Sequence, residues 1–373
     1  MKIAVNTRFL IKNKLEGIGW FTYESLKRIT VQHPEHEFFF LFDRKFHPEF
    51  IFSANVTPLV LFPPARHPLL WYWWFEFAVP NALKKIQPDA FLSPDGYCSL
   101  HTHCRQIMVI HDLAFEHFND HLDALSLRYY CYFTPRYVRK ATRIATVSEF
   151  TKQDVIAKYK IEEKKIDVTG NGSNEFFHPL SETDKVKVKQ DFTQGADYFI
   201  YAGAIQPRKN SINLFLAFDE FKRQTSSGVK LVMAGRNWDY HEAIKVWAAL
   251  DYKDDVIFTG HLSRVDLSRL MGGAIALVYV SLFEGFGIPI VEAMNCNVPV
   301  ITSNVSSMPE VAGEAGLLVN PHHTDEIAAA MRKVYENPLL RSSLIAAGKI
   351  QRQRFTWQNT ADHLWDCIAS AME

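Results

Sequence analysis

Short continuous apolar runs, each followed by a stretch of helical spacing, succeed one another along the chain, and that alternation leaves few folds open. In the first half, residues 2–6, 37–42, 90–93, 107–111, 144–147 and 166–168 read as strands. In the second half the strands are 198–201, 230–234, 256–258, 276–280, 298–302 and 317–319. Most are unbroken apolar runs, as expected of parallel strands covered on both faces. Patterned helices such as 20–31 and 122–139 lie between them. Strand–helix alternation at this spacing predicts doubly wound α/β sheets, and it occurs twice. The expected architecture is two Rossmann-like domains facing one another across a cleft.

The boundary is read at 179–195, where His178-Pro179 precedes a charged stretch. The expected organisation is an acceptor-side domain over 1–178, a linker over 179–195, a donor domain over 196–355 and a C-terminal helix over 356–373. The helix follows from Trp357, Ala361, Leu364, Trp365, Ile368, Ala369 and Met372, which recur at a 3.6-residue period. It is expected to pack back on the first domain. A length of 373 residues fits two such domains.

Composition narrows the function. The 41 basic and 41 acidic residues cancel, so the bulk electrostatic signature of a nucleic-acid binder is missing. Five cysteines with no CxxC pair argue against a disulfide framework or a structural zinc site. The N-terminus lacks the apolar region of a signal peptide, and no run is long enough to span a membrane. The expectation is a cytoplasmic protein.

In open α/β sheets ligands sit beyond the carboxyl ends of strands, so the loops there carry the chemistry. The strongest signal is Ser281 to Met294, SLFEGFGIPIVEAM. Gly285 and Gly287 let backbone approach a ligand, and Pro289 suits the first turn of a helix whose N–H groups would face a phosphate. Glu284 and Glu292 flank that turn, and carboxylates are natural acceptors for vicinal sugar hydroxyls.

With this element the chain resembles the retaining glycosyltransferases of family four, which have the GT-B fold. Their Glu-x7-Glu element is matched by Glu284 and Glu292. The resemblance continues through NVPVITSNVSSMPEVAG, from Asn297 to Gly313, and LLVNP, from Leu317 to Pro321, and covers nearly the whole chain. It implies that Glu284 engages the transferred hexose and Glu292 the ribose hydroxyls. Gly285, Phe286 and Gly287 then belong to the donor-binding loop.

Three further elements fit. YAGAIQPRKN, Tyr201 to Asn210, places Arg208 and Lys209 after a strand, where two cations suit a diphosphate whose charge grows as it departs. The resemblance implies that this pair clamps the donor. Many relatives carry an arginine directly after the glycine, where Ala204 stands here, so the role of Arg208 rests on less than that of Lys209. His111-Asp112-Leu113 ends a strand, and a histidine there can exchange a proton at the reacting sugar. The resemblance makes His111 the catalytic candidate of the first half, with Asp112 orienting it or capping the next segment. Glu16-Gly17-Ile18-Gly19 opens a helix but lacks the third glycine of a dinucleotide fingerprint. The resemblance implies instead that Gly17 and Gly19 face the donor.

Catalysis is thus assigned to His111, Glu284 and Lys209, with no metal and no cofactor besides a nucleotide-sugar donor, GDP-mannose by analogy with the mannosyltransferase-like branch. The expected reaction is retaining hexosyl transfer to a glycan or lipid-linked acceptor. A nucleotide-sugar 2-epimerase of the same architecture and a non-catalytic nucleotide-sugar-binding protein are the alternatives. Leu69 to Phe77, LLWYWWFEF, is either a helix buried on two sides or a surface for an acceptor or a membrane interface, the latter giving peripheral contact at the inner membrane surface.

Overall fold

A computed structural model of the protein describes residues 1–119, 122–236 and 240–373. The chain forms two compact units, residues 1–172 with 357–373, and residues 173–356.

The first unit is built on a parallel sheet of β1 (Lys2–Asn6), β2 (Glu37–Phe42), β3 (Val56–Val60), β4 (Ala90–Ser93), β5 (Arg105–Ile110), β6 (Arg143–Thr146) and β7 (Ile166–Val168). Its order is β3-β2-β1-β4-β5-β6-β7. Helices α1 (Gly17–Gln32), α2 (Pro68–Trp73), α3 (Val79–Ile86), α4 (Ala114–His117), α5 (Ala124–Lys140) and α6 (Glu149–Tyr159) connect the strands. Ala4, Val5, Phe91 and Val109 are fully buried because helices cover both faces of the sheet.

The second unit comprises β8 (Tyr198–Ala202), β9 (Lys230–Ala234), β10 (Val256–Gly260), β11 (Ala276–Tyr279), β12 (Val300–Ser303) and β13 (Gly316–Val319). Its helices are α7 (Glu182–Thr193), α8 (Ser211–Thr225), α9 (His241–Ala248), α10 (Arg264–Gly272), α11 (Ile288–Asn295), α12 (Met308–Ala312), α13 (Thr324–Glu336) and α14 (Pro338–Gln351). The order is β10-β9-β8-β11-β12-β13, again all parallel.

Both orders reverse direction beside their first strand, which places a switch point between β1 and β4 and another between β8 and β11. Crossovers leave to opposite sides there and open a crevice at the strands' carboxyl ends. The remaining helix, α15 (Trp357–Ser370), belongs to the first unit and packs on α1, β6 and β7. Gly172 sits so close beneath it that an added Cβ would lie 2.5 Å from the Trp357 ring.

The structure corrects several expectations. Residues 179–195 are not a linker: they carry α7, capped by the Ser181 side chain accepting from the Asp184 N–H, within the second unit. The charges that suggested a linker are its exposed face. Strand β3 was not expected. Its sequence VTPLV contains Pro58, tolerated because this strand lies at the sheet edge. Gly17 and Gly19 lie in the first turn of α1 rather than in a loop ahead of it. Gly19 is demanded by packing, since a Cβ there would stand 3.0 Å from the Phe9 carbonyl oxygen.

Candidate functional site

In the second unit, the loops after β8 and β11 meet at the switch point. After β8 the chain makes the short turn Pro207–Lys209 and then places Asn210 in the left-handed region at φ 60°. Asparagine tolerates that conformation, and its side-chain amide donates to Val280 O (2.9 Å) and Pro321 O (2.7 Å). The turn is thereby tied to the end of β11 and to the loop after β13. Leu282 N–H donates to Arg208 O (2.8 Å), closing the junction.

Glu284 is the centre of this junction. Arg208 Nη1 reaches its Oε2 at 3.0 Å and also donates to Phe283 O at 2.9 Å. Lys209 forms a close ion pair with Oε1. The Tyr279 hydroxyl accepts from Lys209 Nζ (2.7 Å) and donates to Glu284 Oε1 (2.9 Å). The Glu284 backbone is held as well: Ser306 Oγ accepts from its N–H (3.0 Å) and donates to its C=O (3.0 Å), and Ser307 Oγ donates to the same carbonyl (2.9 Å). Burial alone would push the carboxyl up, but Lys209 and Arg208 outweigh it and hold Glu284 at about 2. Among the described residues, both cations converge on this one carboxylate in a largely desolvated cluster.

Sequence reasoning had assigned Glu284 to a sugar and the two cations to a diphosphate. In the structure the three side chains bond to one another. Tyr279, Asn210, Ser306 and Ser307 were not foreseen. Tyr279 reads as one more apolar strand residue, and the serines act through a loop distant in sequence.

Gly287 caps α11 at φ 96°, and Pro289 lies in the helix's first turn. Gly285 and Phe286 precede it, the Phe286 ring buried edge-on to Phe355 at 5.4 Å. Glu292 is buried one turn into α11, with Arg264 Nη1 at 2.9 Å from its Oε1. Burial raises its pKa and Arg264 opposes the rise. At the neighbouring strand ends, Gly203 N–H donates to Ala234 O (2.9 Å). Gly235 then passes so near that an added Cβ would stand 1.9 Å from Gly203 O. Only glycine permits this approach.

In the first unit, the loops after β1 and β4 meet at the corresponding position. Arg8 Nε bonds Asp95 Oδ2 at 2.5 Å, with both side chains buried. Ser93 Oγ donates to Asp95 Oδ1 at 3.0 Å. His111 follows β5 directly, its Nε2 at 2.8 Å from Pro94 O and its ring edge-on to Phe21 at 4.9 Å. A carbonyl only accepts, so Nε2 carries the proton and Nδ1 the lone pair. Burial lowers the His111 pKa, opposed by Pro94 O, Asp112 and Asp95. Asp112 does not bond the imidazole; its Oδ1 accepts from Ala114 N–H at 3.0 Å and starts α4.

Among the described residues, the cluster at Glu284 contains one carboxylate, already engaged by two cations. Among the described residues, the group that could gather on a cation is His33, Glu35 and His36, in the loop between α1 and β2, with ligand atoms within 4.8 Å of one another.

Known proteins match both halves. The family model described as Glycosyltransferase Family 4 matches residues 16–175, and that described as Glycosyl transferases group 1 matches residues 182–351. The chain is 28% identical to O-antigen chain mannosyltransferase B of Escherichia coli over 96% of its own length and 97% of that protein. It is also 28% identical to O-antigen chain mannosyltransferase RfbU of Salmonella typhimurium, over 73% of this chain and 72% of that one. Among solved structures, HepE of Anabaena in complex with UDP and glucose superimposes with a TM-score of 0.77 at 18% identity, covering 99% of this chain and 100% of the other.

Proposed function

The chain belongs to the family 4 glycosyltransferases of GT-B fold, and from that premise we propose that it transfers mannose from GDP-mannose to a hydroxyl of a growing glycan or glycolipid, with retained anomeric configuration. The mannosyl assignment is supported by the two O-antigen mannosyltransferases it resembles.

The observation that carries the reading is the Arg208–Lys209–Glu284 cluster at the switch point between β8 and β11. Its two adjacent cations suit the donor diphosphate, which would compete with Glu284 for them. As they turn to the phosphates, the Glu284 carboxylate is released to accept hexose hydroxyls. Charge growing on the departing diphosphate then meets Lys209, Arg208 and the N-terminal end of α11, so neutralisation requires no metal. Glu292, drawn from Arg264, accepts ribose hydroxyls. His111, whose Nε2–H is engaged by Pro94 O and whose Nδ1 keeps its lone pair, serves as the catalytic residue of the first unit, and Gly17 and Gly19 serve in donor binding.

The test is a panel of nucleotide sugars with lipid-linked and free glycan acceptors, products identified by mass spectrometry and anomeric configuration by NMR. Transfer from GDP-mannose to give an α-linked product is expected. Conversion of the donor sugar without an acceptor would instead identify a 2-epimerase, and nucleotide-sugar binding without turnover a binding protein.

A further inference from the structure

The loop between α1 and β2 gathers two imidazoles and a carboxylate at the amino end of the first sheet. His33, Glu35 and His36 offer ligand atoms that all lie within 4.8 Å of one another. Glu35 Oε1 is 3.3 Å from His36 Nε2 and 3.8 Å from His33 Nδ1. Two ligands bonded to one zinc ion at ~2.0–2.1 Å, at a tetrahedral angle, stand ~3.3–3.4 Å apart. The first separation already matches, and a small rotation of the His33 side chain closes the second.

Backbone and rings are both held in place. Asn55 Nδ2 donates to His33 O (3.1 Å), to His36 O (2.9 Å) and to Thr30 O (3.1 Å), which fixes the spacing of the two histidines. His36 N–H donates to His33 O at 3.2 Å. The Trp365 ring of α15 stacks on His33 at 3.7 Å and on His36 at 5.1 Å. His36 Nδ1 meets Met1 N at 3.1 Å, with Nε2 left towards Glu35. Three ligands ordered in this way lose little freedom on binding. The local charge favours a cation too. His33 is the C-cap of α1, whose last turn carries no basic side chain to meet the negative end of the helix dipole. Asp362, one turn before Trp365 on α15, adds a negative charge that acts on His33.

We infer that His33, Glu35 and His36 bind one divalent ion of the zinc class, with water completing its shell. Two imidazole nitrogens and one carboxylate oxygen suit Zn²⁺, Ni²⁺ or Cu²⁺, whereas Mg²⁺ and Ca²⁺ take oxygen ligands. His36 immediately precedes β2, and the crevice opens at the opposite, carboxyl ends of the strands. The ion is therefore remote from His111 and takes no part in transfer. It braces the α1–β2 loop on which Trp365, and with it α15, is seated. Stripping it lowers stability and leaves the metal-free chemistry of the Glu284 cluster untouched, so this site and the transferase reading stand or fall separately.

The experiment uses the tag-free full chain, stripped with a chelator and dialysed, then titrated with zinc chloride or magnesium chloride. Calorimetry should give one zinc per chain. Zinc at 100 times its dissociation constant should raise the melting temperature by ~5–10 °C, and magnesium should not. The Glu35 side chain is 60% exposed, so Glu35→Gln keeps the packing. It should weaken zinc binding about tenfold or more, as should His36→Gln, with circular dichroism unchanged. Cobalt in place of zinc should give visible absorption without a thiolate charge-transfer band. Wild type that takes up no stoichiometric zinc, binding unchanged in the folded Glu35→Gln variant, or a cobalt–thiolate band that places the ion on a cysteine would each overturn the inference.

Discussion

Lys209→Met removes one cation from the Glu284 cluster while nearly keeping the side chain's volume. A carboxyl that titrates at about 2 rather than the ordinary 4.5 is favoured in its charged form by about 3 kcal/mol, at ~1.4 kcal/mol per pH unit. The native pKa is depressed, so this stabilisation is fully present above the unfolded pKa and is lost as pH falls from ~4.5 towards 2. Without Lys209, burial is opposed by Arg208 and the Tyr279 hydroxyl, and the Glu284 pKa rises. Since Arg208 shares in that depression, about 3 kcal/mol is the upper bound on what the variant should lose at neutral pH through Glu284. For a unit of this size that lowers the melting temperature by at most ~6–12 °C. Thermal unfolding between pH 3 and 8 checks it: the variant's deficit should be full near neutral pH and narrow as pH falls below ~4.5. If Lys209→Met melts within a degree of wild type with the same acid profile, Lys209 does not hold the carboxylate and the argument fails. Independently, its turnover should fall ~10²–10³-fold if it meets charge on the leaving diphosphate.

Glu284→Ala should cut turnover far more than donor affinity, and Glu292→Ala should mainly weaken donor binding; calorimetry with a non-hydrolysable donor beside steady-state rates separates them, and the opposite pattern would reverse the two assignments. Activity should survive chelation by EDTA, and loss restored by manganese would refute neutralisation by Arg208 and Lys209. Gly235→Ala should disrupt the second unit, because its Cβ would overlap Gly203 O at 1.9 Å; a soluble variant with unchanged melting and donor binding would show that the β8 and β9 loops are not so closely locked.

The sequence by itself determined the two parallel sheets. Runs such as FFFLF and IALVYV are apolar at every position, a pattern that pays off where both faces of a strand are covered, and it is local. It also placed Glu284, Arg208, Lys209 and His111 in loops at strand ends, since glycines and prolines mark where strands stop. What it lacked were interactions whose partners lie far along the chain. Pro58 hides an edge strand that exists because β2 offers it hydrogen-bonding groups. The charges of 182–193 suggested a linker until α7 packed its other side on α10. Trp73 and Trp74 are neighbours of one residue type, and only the π-helical turn Trp74–Ala78 sends one outward and the other into the core. Above all, Glu284 lies 75 residues from Lys209, and only the strand order β8-β11 makes them partners. Apolar patterning is written in neighbouring residues, whereas the partner of a buried charge is chosen by the order in which the strands assemble.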